Sequence, residues 1–415
     1  MKTMKKIARA LQLGMILSFF MSAATAANIR IAFIDPLSGP FAAVGQNALN
    51  SWKYVAELAN NGKWAGNDTF EVVGFDNKGS PQESLIQLKT AIDQGFRYIT
   101  QGNGSGVALA LIDTINKHNE RNPGSEVLFL NYAANDPDLT NSKCSFWHFR
   151  FDANSDMKME AITTYMAAQP GIKKVYIIGQ NFAFGHQVSR AAKEYLKRKR
   201  PDIAIVGDDL HPIGQVKDFS PYIAKIKTSG ADTVITGNWG SDLSLLIRAA
   251  NDADLKADFY TYYANTSGVP TAMGASGAGR IKNVWYWNLN SEGFGGKEIA
   301  EGFKKRYKDD YIGMSTFTAI TFLSRAILES KSSDPVKVAF AMEGMKVQSL
   351  NGMVEMRKSD HQAQQPLYIS TWTKTNGKDI RYDQENTGFG WKTNVKSDAY
   401  VASQPTSCAM KRPSH

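Results

Sequence analysis

The sequence predicts an α/β protein whose parallel sheets are shared between two lobes. Three observations carry that reading. One unit recurs along the chain: a short apolar run, a turn rich in Gly, Asn or Ser, then an amphipathic stretch of helical period. Most of the apolar runs are continuous rather than alternating, which is the pattern of strands covered on both faces and hence of parallel sheet. Eight such units are too many for one open sheet of ordinary size, so they divide into two groups of four.

The predicted strands are Ile29–Ile34, Glu71–Phe75, Tyr98–Gln101, Val127–Asn131, Val175–Gly179, Ile203–Val206, Thr233–Thr236 and Phe259–Tyr262. Helix starts are marked by local chemistry. Ser80-Pro81-Gln82-Glu83 places an N-cap, a proline at the first helical position and a glutamate in one capping box. Ser38-Gly39-Pro40 opens a helix carrying Trp52, Val55 and Leu58, and Asp218-Phe219-Ser220-Pro221 opens another. The helix Gln187–Lys199 ends in Lys197-Arg198-Lys199-Arg200, and cations there suit the negative end of the helix dipole. After Asn283 the pattern reads strand Val284–Leu289, helices Lys297–Tyr307, Thr316–Ser330 and Val336–Glu343, a hairpin near Gly352–Arg357, and an alternating strand Leu367–Thr373. Coil and a Pro/Ser tail are expected to close the chain.

The 415 residues are 43% hydrophobic and 21% charged, which excludes collagen-like and disordered chains. The formal charge of +9 by itself points to an acidic partner. The first residues remove much of that pointer. Lys2, Lys5, Lys6 and Arg9 precede an apolar run, Ala10 to Met21, and Ala24-Thr25-Ala26 fits a small-residue cleavage site. A secretory signal peptide over residues 1–26, cut after Ala26, takes four cations away and leaves +5. A soluble, exported chain with no nucleic-acid partner is expected. In an oxidising compartment Cys144 and Cys408 are most economically one disulfide, the alternative being two free thiols.

In parallel α/β sheets ligands bind beyond the carboxyl ends of the strands. The loops there are 35–41, 102–106, 132–136, 181–185 and 237–242. Each opens a helix, whose free N–H groups favour an anion. Asn103 and Ser105 stand in them, with the aromatics Phe41, Tyr132, Phe182, Phe184 and Trp239. Catalytic patterns fail. Ser105 lacks the glycines of a nucleophile elbow, Gly102-x-Gly104 lacks the third glycine of a dinucleotide loop, and Cys and His show no metal-ligand spacing. His361 sits in a polar cluster, Ser359-Asp360-His361-Gln362, read as a turn that bonds its own backbone. No cofactor, no metal and no enzymatic activity are expected. A hydrolase using Ser105 or His361 is the reading from a different class.

These residues, in this order, resemble the type I periplasmic solute-binding proteins of ABC importers, in the branch that binds branched-chain, hydrophobic amino acids. Ile34-Asp35-Pro36-Leu37-Ser38-Gly39-Pro40 with Gly45 looks like the family's opening. Phe75-Asp76-Asn77 with Pro81, Ser105-Gly106-Val107-Ala108, Ala134-Asn135-Asp136-Pro137-Asp138-Leu139-Thr140, Phe149-Arg150 and Asp218-Phe219-Ser220 are similar to its later motifs. The resemblance implies two Rossmann-like lobes joined by three crossovers, with 27–148 and 287–366 in lobe I and 149–286 and 367–415, tail included, in lobe II. It also implies a ligand in the cleft between them. On it, Ser105 and Asn135 hold a ligand carboxylate beside Ala134, Phe184 packs on the ligand, and Asp242 holds an ammonium. Asn135 stands where the family has a hydroxyl and is expected still to donate; Phe184 replaces a Tyr. Asp242 also fits a carboxylate facing its own helix dipole. The implied ligand is a hydrophobic amino acid, with an aromatic carboxylate as the alternative. The implied partner is an inner-membrane ABC permease, a sensory receptor being the alternative. The implied state is a monomer in the periplasm.

Overall fold

The computed structural model describes residues 26–400 and 403–413, so the export leader read over residues 1–26 lies, but for Ala26, outside the described residues. The first sheet contains β1 (Asn28–Asp35), β2 (Thr69–Asp76), β3 (Tyr98–Gln101), β4 (Leu128–Asn131) and β5 (His148–Arg150). Its order is β2-β1-β3-β4-β5, and every pairing is parallel. Strands β3 and β4 are buried at every residue, as continuous apolar runs require. The connecting helices are α1 (Ala42–Asn61), α2 (Pro81–Asp93) and α3 (Ser105–Arg121). The α2 capping box forms: Ser80 Oγ accepts from the Glu83 N–H. Helix α1 buries Trp52, Val55 and Ala56, and Gly45 lets it approach the chain closely, since a Cβ there would lie 1.8 Å from the Pro36 carbonyl oxygen.

The second sheet takes β6 (Lys174–Gln180), β7 (Ala204–His211), β8 (Thr233–Thr236), β9 (Asp258–Thr261) and β10 (Ile281–Trp285), alternating with α4 (Ser155–Ala167), α5 (Ala183–Lys199), α6 (Ser220–Ser229), α7 (Gly240–Asp252) and α8 (Val269–Met273). After β10 come α9 (Lys297–Tyr307), α10 (Met314–Ser330) and α11 (Pro335–Met342). A small sheet follows, formed by β11 (Lys346–Ser349), β12 (Gly352–Met356) and β13 (Ala363–Gln364). Helices α9 and α10 pack on α1 of the first sheet. The chain then re-enters the second sheet as β14 (Leu367–Lys374) and β15 (Phe389–Ser397), giving the order β15-β14-β10-β9-β8-β6-β7 with β14 antiparallel to both neighbours.

The α/β class with parallel central sheets and three passages between them is therefore as expected. Four details differ. The fifth strand of the first sheet includes Phe149 and Arg150, so the first passage starts at 151, two residues later than the sequence reading. The strand expected at Val284–Leu289 is Ile281–Trp285. Strand β14 is buried on both faces over its first six residues rather than alternating, because β10 and β15 flank it. The coil expected to close the chain contains β15, an edge strand with exposed polar residues.

The tail takes a different course from the one expected. Cys144 and Cys408 form a disulfide. Around it the Thr406 hydroxyl donates to the Thr140 carbonyl (2.9 Å), the Ser407 N–H donates to Asn141 Oδ1 (3.1 Å) and Lys411 pairs with Glu120 (3.0 Å). These partners all flank the first sheet, so the tail returns to lobe I instead of staying with lobe II. The cationic end of α5 is partly neutralised within the fold: Arg198 and Lys199 both pair with Glu160 of α4, and Arg200 pairs with Asp202.

Candidate functional site

The carboxyl ends of the two sheets face each other. In the first sheet the strand order turns at β1 and β3, and in the second at β6 and β8. Crevices open at such switch points. Between them lies a cavity lined from one side by Val44, Asn47, Gly102–Ser105 and Tyr132–Asn135 and from the other by Phe182, Phe184, Trp239, Tyr263, Thr266 and Trp285. Tyr286, Ile312, Gly313 and Ser315 close its base. A second, larger cavity, lined by Trp287, Asn288, Lys304, Tyr382 and Trp391, shares only Trp285 and Ile312 with it. The candidate site is the first cavity, because strand ends and helix starts of both sheets converge there.

The lobe I wall is built on one buried carboxylate. Asp35, at the end of β1, accepts from the N–H groups of Gly102 and Asn103 (both 3.0 Å) and from the Tyr132 hydroxyl (2.5 Å). Asn103 Nδ2 donates in turn to the Tyr132 hydroxyl at 2.8 Å. Burial pushes the Asp35 pKa up to about 7, against the three donors that stabilise its charge. Gly102 must be glycine: a Cβ there would lie 2.6 Å from the Tyr132 ring. This cluster fixes the loop that leads into α3. The first-turn N–H groups of α3 have no intrahelical acceptor. The Ser105 hydroxyl accepts from the Asp136 N–H (3.2 Å), which leaves its proton to donate.

The 132–136 loop is held from behind. Asn131 Oδ1 accepts from the N–H groups of Ala133 (3.1 Å) and Ala134 (2.7 Å). Arg150 is fully buried, donates to the Asp136 carbonyl (2.6 Å), Gln362 Oε1 (2.6 Å) and the Thr140 hydroxyl, and has its pKa pulled down by burial to about 10. Asn135 donates from Nδ2 to Asp152 Oδ2 (3.2 Å) and to the Tyr263 hydroxyl, while its buried Oδ1 has no partner. The expectation that this amide turns a donor to the ligand is thus corrected: both contacts of its nitrogen are internal.

The lobe II wall is aromatic. Phe184 meets the edges of Tyr262 and Tyr263 (centroids 5.7 and 5.9 Å). Trp239 stands at the start of α7, and Phe41 crosses from the other lobe to lie on it, centroids 4.1 Å apart. Phe41 therefore bridges the lobes instead of lining the cavity, and Gln187 adds a polar contact across the cleft to Asp138 (3.4 Å).

Of the sequence-predicted site residues, Asn103, Ser105, Tyr132, Ala134, Asn135, Phe184 and Trp239 line this cavity. Asp242 does not. Its Oδ2 accepts from Gln180 Nε2 (2.7 Å) and the Gly214 N–H (2.9 Å) within lobe II, in the first turn of α7. That is the helix-terminus role, and the carboxylate is already satisfied without a ligand. Sequence reasoning missed Tyr263, Trp285, Tyr286, Thr266 and Asn47. Tyr263 follows a strand end and was within reach of the same loop rule. Trp285 and Tyr286 stand at the end of β10, which the sequence reading placed three residues too late, and Asn47 lies in α1 beyond its opening loop. His361 is remote from the cavity: it stacks on Phe149 (4.0 Å) and bonds to Glu343 (2.8 Å). Ser105 and His361 thus share no site, and the hydrolase reading loses its base.

Two parallel-sheet lobes, chain passages between them and a ligand-sized cavity at facing switch points define a bilobal solute-binding protein. The chain belongs to the periplasmic binding protein family, whose model matches residues 28–378. Within that family it is 32% identical, over 94% of both chains, to the Leu/Ile/Val-binding protein homolog 4 of Brucella abortus. Among solved structures, the closed conformation of the leucine-, isoleucine-, valine-, threonine- and alanine-binding protein of Brucella ovis superposes with a TM-score of 0.83 at 30% identity. That match covers 94% of this chain and all of that one. A solute-binding protein of an ABC transporter from Rhodopseudomonas palustris, solved with p-hydroxybenzoic acid, has the same fold (TM-score 0.75, 21% identity, 90% and 97% covered). The family is one of periplasmic carriers, and among the described residues no helix is long and apolar enough to cross a membrane.

Proposed function

We propose that this protein captures a small hydrophobic carboxylate, foremost a hydrophobic amino acid, and delivers it to an ABC permease in the inner membrane. One observation carries the reading. The free first-turn N–H groups of α3 and the Ser105 hydroxyl meet an apolar, aromatic chamber inside one cavity walled by both lobes. A carboxylate at the helix start gains hydrogen bonds and the positive end of the dipole. Its apolar side chain is then buried against Phe184, Trp239 and Trp285. The names of the Brucella relatives support an amino acid as that ligand. Closure of the lobes over it would present both to the permease, so ligand and permease act on one open–closed equilibrium. Export on a leader cut after Ala26, and action as a monomer with lobes divided at the three passages, belong to the same reading.

A second reading, an aromatic carboxylate, is favoured by one feature. No Asp or Glu is among the residues lining the cavity, while seven aromatic side chains are. An ammonium would therefore be desolvated without a counter-charge. A thermal-shift panel of amino acids and aromatic acids tests both, since a ligand of the native state raises Tm. The largest shift is expected from leucine, isoleucine, valine or phenylalanine. A panel in which neither class moves Tm would sink the capture reading.

A further inference from the structure

We propose that the loop between β14 and β15 is a clasp that reaches from lobe II to α9 of lobe I and sets how long the lobes stay shut on a ligand. The inference rests on the capture reading above and adds a control on release that lies outside the ligand cavity.

Strand β14 ends at Lys374 and β15 begins at Phe389, so the connection runs to 14 residues. Neighbouring antiparallel strands need only about two to five. The excess is shaped by its own bonds. Asn376 Oδ1 accepts from the N–H groups of Lys378 (2.9 Å), Asp379 and Ile380 (both 3.0 Å), and Ile380 is buried. Asp383 Oδ2 accepts from the Gly388 N–H (3.0 Å). The loop is also pinned to the second passage between the lobes. Asn290 Oδ1 accepts from the N–H groups of Arg381 (3.0 Å) and Tyr382 (2.9 Å), and its Nδ2 donates to the Tyr382 carbonyl (2.9 Å). The loop is therefore a preformed arm, and gripping with it costs little further ordering.

Glu385 fastens the arm to lobe II. Its carboxylate accepts from the N–H groups of Gly268 (2.5 Å) and Thr271 (2.8 Å) and from the Thr271 hydroxyl (2.5 Å), at the start of α8, where N–H groups lack intrahelical acceptors. Beside it, Gln384 Nε2 donates to the Asn265 carbonyl (2.6 Å), one residue before Thr266 of the cavity wall.

Three contacts of the same arm cross to lobe I. The Glu385 N–H donates to Asp310 Oδ2 (2.5 Å), and the Tyr382 hydroxyl donates to Glu301 (3.1 Å). Asp383 faces Lys304 (3.9 Å), which is itself paired with Asp310 (2.9 Å). The landing point is tied to the other cavity wall. Asn47 of α1, which lines the ligand cavity, donates from Nδ2 to Asp309 Oδ2 (2.7 Å) and to the Asp310 carbonyl (2.8 Å). The clasp thus joins the two walls from outside, without touching the ligand. It also accounts for the second cavity, which is the space beneath the arm. The charged side chains lining that space, Glu301, Lys304, Asp310, Arg381 and Asp383, are all bonded within the protein. Half-exposed ion pairs are individually weak and screened by salt, whereas the bond to the Asp310 carboxylate is charge-assisted. A grip of this size slows opening; it does not shut the lobes without a ligand.

Stopped-flow tryptophan fluorescence on the mature chain tests this, with leucine as the probe and 4-hydroxybenzoate where leucine does not bind. Asp310→Ala, which removes the acceptor of Glu385 and the partner of Lys304, is expected to speed release about fivefold while association changes less than about twofold. Asp310→Asn keeps an acceptor and loses the charge, and is expected to fall between. Raising NaCl from about 0.05 to 0.5 M is expected to speed release from the wild type about threefold and to leave the double variant Asp310→Ala with Lys304→Met unmoved. The Tm of each ligand-free variant reports folding separately. Release from Asp310→Ala within about twofold of the wild type overturns the clasp while the capture reading stands, and so does a lowered ligand-free Tm with unchanged release, the mark of a merely structural contact. Binding of neither probe by the wild type overturns both readings.

Discussion

The two walls of the cleft are made of different materials. The lobe I wall is polar and pinned: Asp35, Asn131 and Arg150 hold its loops from behind, so backbone N–H groups and the Ser105 hydroxyl stand in place before a ligand arrives. The lobe II wall is a set of aromatic rings that touch one another and, through Phe41 on Trp239, the opposite lobe. The contrast teaches a division of labour. On the proposed reading, preorganised donors would fix the carboxylate at little ordering cost, whereas the large rings would supply the apolar area that the ligand buries. On this view lobe I sets where the ligand binds and lobe II sets whether the protein stays shut.

The comparison breaks most severely at Asp35. Replacing it by Ala leaves three buried donors without an acceptor, at roughly 1–3 kcal/mol each. Asp35→Ala should thus lose about 3 kcal/mol or more in denaturant unfolding, together with ligand binding; a loss below about 1 kcal/mol would deny the cluster its role. The same group gives a pH signature. Its folded pKa of about 7 lies above the ordinary aspartate value of 3.8, so the native state binds the extra proton between them. Its contribution to stability is full below about pH 4 and is lost as pH rises through 7. The stability of the wild type minus that of Asp35→Asn should accordingly fall from pH 4 to pH 8.

A smaller effect is expected at the ligand itself. Ser105→Ala removes a hydrogen bond to a charged group, worth about 1.5–3 kcal/mol, and should weaken carboxylate binding roughly ten- to a hundred-fold with little change in fold by circular dichroism. Unchanged affinity would move the anion subsite elsewhere. The mildest effect belongs to the bridge. Phe41→Ala forfeits an aromatic pair worth about 0.5–1.5 kcal/mol beyond its area. A loss of affinity of about tenfold or less is expected, with solution scattering showing a more open ligand-free chain. An unaltered scattering profile would mean that Phe41 does not help hold the lobes together.

Much of the architecture could be read from residue pattern because it rests on local rules. Continuous apolar runs gave β1 to β4 and β6 to β9, with β7 running on to His211 and the short β5 missed, and Ser80-Pro81-Gln82-Glu83 marked the start of α2. The loops at strand ends led to seven of the cavity's lining residues. What escaped depends on long-range contact. Strand β15 is a polar edge strand, exposed along much of its length, so it lacks the apolar run that marks the others. Lys158 sits in Ser155-Asp156-Met157-Lys158, which reads as a solvated helix start; only the meeting of Asp152 with Tyr263 and Trp285 turns it into a buried ion pair. Asp242 has the residue type and the loop position for an ammonium ligand, but Gln180 and Gly214, remote in sequence, already occupy its carboxylate.

The most direct test of this account is a crystal structure of the mature chain with a bound hydrophobic amino acid. The carboxylate should lie on the first turn of α3 beside Ser105 Oγ, with the side chain against Phe184, Trp239 and Trp285. A ligand found instead in the larger cavity between Trp287, Tyr382 and Trp391, or with its carboxylate toward lobe II, would contradict it.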